Sequence, residues 1–226
     1  MDFDLSVLPT VWPALRAGLQ TTVLLTFAVI VIATPAGVGV AMLARSASRP
    51  VRGGVALASW ALRGVPPLLV LFLFFFGLPS IGITLPPLPS AVLAMSLYMA
   101  FYLGEVFRAG LASVPAAQWQ AASALGLSRA RTLGRIVLPQ AMPAALPSYV
   151  SQMTEVLKGT ALASAVAVPE LMSASRKMFA VTYRPFEVLL LAAILYAVCD
   201  GMLLLLQAAG ERWAARRGLG NRGVAR

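Results

Sequence analysis

The chain has 226 residues, 59% of them hydrophobic and only 12% charged, with a formal net charge of +10. That apolar fraction is far above globular usage, and its long apolar runs place the chain in a bilayer. No histidine and a single cysteine, Cys199, rule out disulfides and the usual zinc, haem and iron–sulfur sites, and the basic residues cluster beside apolar runs with no aromatic–basic platform for nucleic acid.

Residues 1–17 read as an outer interfacial segment, with Phe3, Leu5, Leu8 and Trp12 suited to the membrane surface. Asp2 and Asp4 stand where a signal peptide has a basic region, and the first apolar run is too long for a cleavable one. A single membrane domain, 18–210, is expected to follow. Its first span covers about 19–43; Pro35 bends it, and Ala33, Gly37 and Ala41 form a small-residue face for close helix contact. Arg45, Arg49 and Arg52 come next. The second span is expected as one kinked helix over 55–77, broken near Pro66-Pro67, because 68–76 alone cannot cross about 30 Å. An uncharged, proline- and glycine-rich stretch to Pro89 reads as an outer turn. The third span, 90–108, ends in Glu105 and Arg108, one turn apart on one face and read as a structural ion pair.

Residues 113–140 form a polar island between apolar runs. Ser113 and Pro115 mark a helix start, and Trp119, Ala122 and Leu125 share one face at i, i+3, i+6. Gly126, free to take a left-handed conformation, ends that helix; Ser128 caps a second one, which carries Arg129, Arg131 and Arg135 and is expected to stop at Pro139.

A fourth span over 144–168 contains Glu155 and Lys158, a polar outer segment runs from Glu170 to Arg184, and the fifth span, 186–209, is interrupted by Asp200. A basic cytoplasmic tail, 211–226, closes the chain. The stretches 45–52, 108–135 and 212–226 hold twelve of the eighteen Lys and Arg residues. The positive-inside bias therefore puts the N-terminus outside, the C-terminus inside and the polar island in the cytoplasm.

The island resembles the cytoplasmic signature of ABC-importer permease subunits: Glu-Ala-Ala, three residues, Gly, nine residues, Ile-x-Leu-Pro. Ala121, Ala122, Gly126, Ile136, Leu138 and Pro139 stand at matching positions, and Gln120 replaces the glutamate. Arg63-Gly64-x-Pro66, Tyr102-x-x-Glu105-x-x-Arg108, Gln140-Ala141, Leu162-Ala163-Ser164 and Tyr183-Arg184-Pro185-Phe186 are similar to the polar amino acid branch, which includes histidine, glutamine, arginine and opine permeases. This likeness covers roughly residues 15 to 212. A second departure is Lys158-Gly159-Thr160-Ala161-Leu162 where that branch usually has Lys-Asp-Thr-Ser-Leu. The resemblance implies an all-α integral membrane protein of the type I ABC importer permease fold, multi-pass in a bacterial inner membrane. It also implies a homo- or heterodimer of permeases, a separate ABC ATP-binding subunit, and a periplasmic or lipid-anchored solute-binding protein. Residues 113–140 are then the coupling loop, with Trp119 to Pro139 carrying the residues that dock into the ATPase.

The chain lacks a Gly-rich loop ending in Gly-Lys-Ser/Thr, so ATP hydrolysis is expected in the partner, with no cofactor here and no enzymatic activity of its own. Charged side chains deep in a bilayer cost about 2.5–3.5 kcal/mol each and call for a pathway or a partner. Lys158 lies about 21 Å along the fourth span, past the midplane, with Glu155 one turn nearer the cytoplasm. Two readings are open: Glu155, Lys158, Thr160 and Ser164 line the substrate path, or Glu155 and Lys158 merely neutralise each other. Asp200 has no evident partner in sequence; contact with another helix is the expectation. The competing function is a self-contained secondary transporter or channel, which calls for inverted repeats and paired carboxylates that five unequal spans do not offer.

Overall fold

The computed structural model describes residues 5–216 and contains no strand among them. Phe3 of the expected outer segment and Arg217, Arg222 and Arg226 of the expected tail lie outside the described residues. In chain order the helices are α1 (Leu8–Leu43), α2 (Arg49–Gly64), α3 (Pro67–Phe72), α4 (Pro87–Ala112), α5 (Ala116–Ala124), α6 (Arg129–Thr132), α7 (Leu138–Gly159), α8 (Leu171–Thr182) and α9 (Pro185–Arg216). Wider π-turns follow α3 (Leu73–Gly77) and α6 (Leu133–Val137), and a 3-10 stretch, Thr160–Val166, follows α7.

The most extensive helix pairing in the bundle is α1 against α4. Hydrophobic burial gives little net drive between helices in lipid, so close backbone approach and van der Waals packing take over. The expected small face does this: Ala33, Gly37 and Ala41 are all buried. A Cβ added at Gly37 would lie 2.7 Å from Leu103 Cβ and 3.1 Å from the Ala100 carbonyl, and one at Gly104 would lie 2.6 Å from Val40. Gly37→Val should therefore force the two helices apart. An apparent loss of about 1–3 kcal/mol, read as a lower unfolding temperature and less monodisperse protein after extraction, is expected; Gly39→Val, which faces open space, should change neither.

Three sequence expectations are corrected. First, the helix that carries the first span begins at Leu8 rather than near residue 19. α1 runs unbroken from Leu8, and Val11 and Leu15 are buried in a cluster with Leu171 of α8 and Val188 and Ala192 of α9. Second, 55–77 is not one kinked helix: α2 and the 67–81 segment meet at 101°. A residue before proline is driven from helical to extended backbone, and Val65-Pro66-Pro67 places two such residues in series. Val65 (φ −96°, ψ 137°) and Pro66 (ψ 135°) are both extended, so the helix is cut rather than bent. The isolated Pro13 and Pro35 stay inside α1.

Third, the arginine-bearing helix does not stop at Pro139. α6, its π-turn and α7 form one continuous helical rod from 129 to 159. In a regular helix the Pro139 ring would collide with the carbonyl four residues back; the widened turn, closed by Leu138 N–H donating to the Leu133 carbonyl, relieves that clash. The Gln140 side chain donates to the Ile136 carbonyl at 2.7 Å and supports the same turn.

Among the described residues, α1, α4 and α9 are long and apolar enough to cross a membrane, or four spans if α2–α3 counts as one broken crossing. α7 falls outside that group because Ser148, Ser151, Gln152, Glu155 and Lys158 interrupt its apolar run.

Candidate functional site

α5 lies against α6 and the π-turn Leu133–Val137. Trp119 is half-buried beside Val114, Val137 and Ala141, and the Arg45 guanidinium sits 5.6 Å from its ring centre, tying the end of α1 to α5. Ala122 is buried on the same inward face. Leu125, expected on that face, is not: it is 78% exposed at the tip. Gln120 and Ala121 are exposed as well, so α5 shows its outer side to whatever lies beyond the bundle.

The glycine elbow forms as its sequence predicts. Gly126 has φ +69°, its N–H donates to the Ser123 carbonyl at 3.0 Å, and Leu127 N–H donates to the Ala122 carbonyl at 3.1 Å. These two bonds are the Schellman termination, satisfying the last carbonyls of the helix. Ser128 Oγ accepts from Arg131 N–H at 3.5 Å and opens α6. Ile136, Leu138 and Pro139 lie at the π-turn and the first turn of α7.

At the other end of the rod, Glu155, Lys158 and Gly159 line a cleft of about 340 Å³ with Tyr98, Met95 and Leu71. Glu155 and Lys158 do not pair. Lys158 Nζ reaches 3.7 Å to Asp200 Oδ2 of α9 instead, with Lys158 57% exposed and Asp200 22%. The helix contact expected for Asp200 is thus its bond to Lys158. Thr160 and Ser164 are set apart from the cleft lining, because the 3-10 stretch turns their hydroxyls onto the Leu157 and Ala161 carbonyls, each at 2.7 Å. Tyr98 of the cleft lining and Tyr102 share a 3.0 Å hydroxyl contact, and Arg63 lies over the Tyr102 ring. Glu105 and Arg108 form the expected ion pair, at 2.6 and 2.9 Å.

Sequence reasoning passed over Glu170. Fully buried, it accepts from Met172 N–H and Ser173 N–H at 2.7 Å each, capping α8, and from Tyr196 Oη of α9 at 3.0 Å. Burial pushes its carboxyl above the ordinary range, against the opposing pull of those amides. Leu171 N–H donates to Thr22 Oγ1 of α1 at 3.1 Å, so α8 is fastened to both α1 and α9. A carboxylate directly before a helix start was the one local signal; the tyrosine twenty-six residues on was not visible.

Residues 33–215 match the model of a family described as binding-protein-dependent transport system inner membrane component. The chain is 34% identical over 202 residues to the L-cystine transport system permease protein of Bacillus subtilis (strain 168), covering 89% of this chain and 86% of that one. It is 32% identical over 228 residues to the octopine transport system permease protein of Rhizobium meliloti, covering 96% and 93%. Among solved structures it is similar to a crystal structure of an amino acid ABC transporter with histidines, with TM-score 0.87 and 28% identity over 94% of this chain and 99% of that one.

Proposed function

The chain belongs to the family of binding-protein-dependent transport system inner membrane components, and from that premise we propose that it is the permease of an ATP-driven importer for a polar amino acid or similar small zwitterion. A separate ABC subunit hydrolyses ATP, a solute-binding protein delivers the cargo outside, and a second permease copy completes the route. The crossings in this reading are α1, α2–α3, α4, α7 and α9, with the N-terminus out and α5 in the cytoplasm. α7 counts as a crossing because its polar residues are the ones a cargo route needs.

The observation that carries the proposal is the exposed tip of α5 at one end of a continuous rod whose other end holds Glu155 and Lys158. At 1.5 Å per residue the rod delivers a push on residue 129 about 40 Å away at Lys158. Gln120 to Ala122 and Gly126 make the docking surface and its angle, while Ile136, Leu138 and Pro139 keep the rod unbroken. The substrates named for the relatives, L-cystine and octopine, support an amino acid or amino acid derivative as cargo.

Leu125→Cys in a Cys199→Ser background tests this. A membrane-impermeant maleimide should label it in inside-out vesicles, not in intact cells, and the ATPase partner should protect it. Labelling from the external medium alone ends the proposal.

A further inference from the structure

The 16 residues of α2 carry three arginines and no acid. Arg49, Arg52, Ala56 and Arg63 recur at i, i+3, i+7 and i+14, which gathers the three guanidinium groups on one stripe of the helix. Gly54, Leu57 and Ala61 stand on the opposite side, with Trp60 at the border between the two. Ser59 alone among these residues is buried, while Trp60 is 77% and Leu57 65% exposed. The helix is nonetheless firmly placed. Arg52 donates to the Ser46 and Ala47 carbonyls at 2.7 and 2.9 Å, and Arg63 lies 5.1 Å from the Tyr102 ring centre. Its angle to the 67–81 segment is 101°, so a 67–81 segment that crosses the bilayer leaves α2 running along the surface. The crossing counted as α2–α3 is then made by that segment, about 22 Å long, and by the irregular run 83–86 after it, which adds about 13 Å when extended.

We infer that α2 lies in the plane of the membrane and docks onto anionic phospholipid of the inner leaflet. Its arginine stripe meets the phosphates, Leu57 and Ala61 enter the acyl boundary, and Trp60 sits at headgroup level. Only the choice of leaflet rests on the importer reading, which places the end of α1 inside. A second copy of the chain is a poorer match for this stripe. Of the eight acidic residues none stands between Asp4 and Glu105. Glu105, Glu187 and Asp200 are each salt-bridged, and Glu170 is buried. An anionic leaflet offers counter-charge along the whole helix.

The test uses Gly54→Cys and Ala61→Cys, each in a Cys199→Ser background and labelled with bimane, in the permease–ATPase complex in phosphatidylglycerol–phosphatidylcholine nanodiscs. A Cβ at Gly54 meets nothing within 4 Å, and Ala61 is exposed. Quenching by lipids spin-labelled at two chain depths should place both labels at one shallow level, whereas a crossing helix separates them by about 10 Å. Spin-labelled phosphatidylglycerol should quench about twofold or more as strongly as spin-labelled phosphatidylcholine. Arg49→Gln, which leaves Arg52 on the Ser46 and Ala47 carbonyls, should lower that ratio. Salt at about 1 M, where the Debye length is about 3 Å, should bring it to parity with no substitution. Labels about 10 Å apart in depth overturn the inference, as does lipid quenching of neither label, the sign of a face covered by a second copy or by the ATPase. Equal quenching by the two headgroups at low salt overturns it too, as does a ratio that neither Arg49→Gln nor salt moves. Labelling of residue 125 from outside would end the importer reading and shift the helix to the outer leaflet, with the depth and headgroup results unchanged.

Discussion

Replacing Gly126 with proline should leave the chain inserted and assembled, yet lower cargo uptake by the complete importer by about a hundredfold. Proline fixes φ near −65°, whereas this residue stands at +69°, and it removes the N–H that closes onto the Ser123 carbonyl. The turn between α5 and α6 must then take another path, and the exposed tip at Leu125 moves relative to the rod. A local cost of about 3 kcal/mol corresponds to that factor. Two milder changes set a scale. A Cβ at Gly126 would meet nothing within 4 Å, so Gly126→Ala carries only the left-handed strain, about 1–2 kcal/mol, and should lose about tenfold. Gly126→Asn, a residue that tolerates this conformation, should retain most uptake. ATP hydrolysis measured beside uptake gives the decisive comparison: the proline variant should hydrolyse ATP without moving cargo in proportion. Wild-type uptake by that variant would remove the elbow from the coupling pathway.

The elbow was legible in sequence because its determinants are local. A glycine that must take positive φ, a serine three residues before the N–H it accepts from, and a small-residue stripe at Ala33, Gly37 and Ala41 each declare themselves within a turn or two of helix. Pro139 misled for an instructive reason. A proline ends a regular helix, but a π-turn one residue earlier absorbs the clash, and nothing in the local composition announces that extra residue. Val65-Pro66-Pro67 was underweighted instead, since two pre-proline residues in succession cut a helix where one only bends it. Lys158–Asp200 lay out of reach because forty-two positions separate the partners, and the nearer Glu155 offered a spacing that looked sufficient. Leu125 shows the limit of face counting: α5 ends at Ala124, so Leu125, the residue just past it, has already left the helical path and the docked face.

The second large effect is expected at Glu170, where α1, α8 and α9 meet. Glu170→Ala strips the acceptor from Met172 N–H, Ser173 N–H and Tyr196 Oη, all gathered on one fully buried side chain. Losing a helix cap costs about 0.5–2 kcal/mol, and leaving a buried donor unpaired costs about 1–3 kcal/mol more. A total near 3 kcal/mol should appear as a marked fall in apparent Tm of the solubilised complex. Glu170→Gln keeps one carbonyl oxygen for the cap and should lose about 1 kcal/mol. The pH dependence separates charge from packing. Because burial raises the folded-state pKa of this carboxyl, its linkage contribution is present below the unfolded value and lost as pH rises through the folded one. The apparent Tm of the unaltered chain should therefore drift down across that window, and the glutamine variant should lack the drift. Gly18 makes the neighbouring contact as tight as the cap is polar: a Cβ there would meet Ala174 Cβ at 2.8 Å and Leu171 Cα at 2.9 Å. A Glu170→Ala chain that melts with the unaltered one would mean that this backbone contact alone fastens α8, and that the buried carboxylate is not what holds α1, α8 and α9 together.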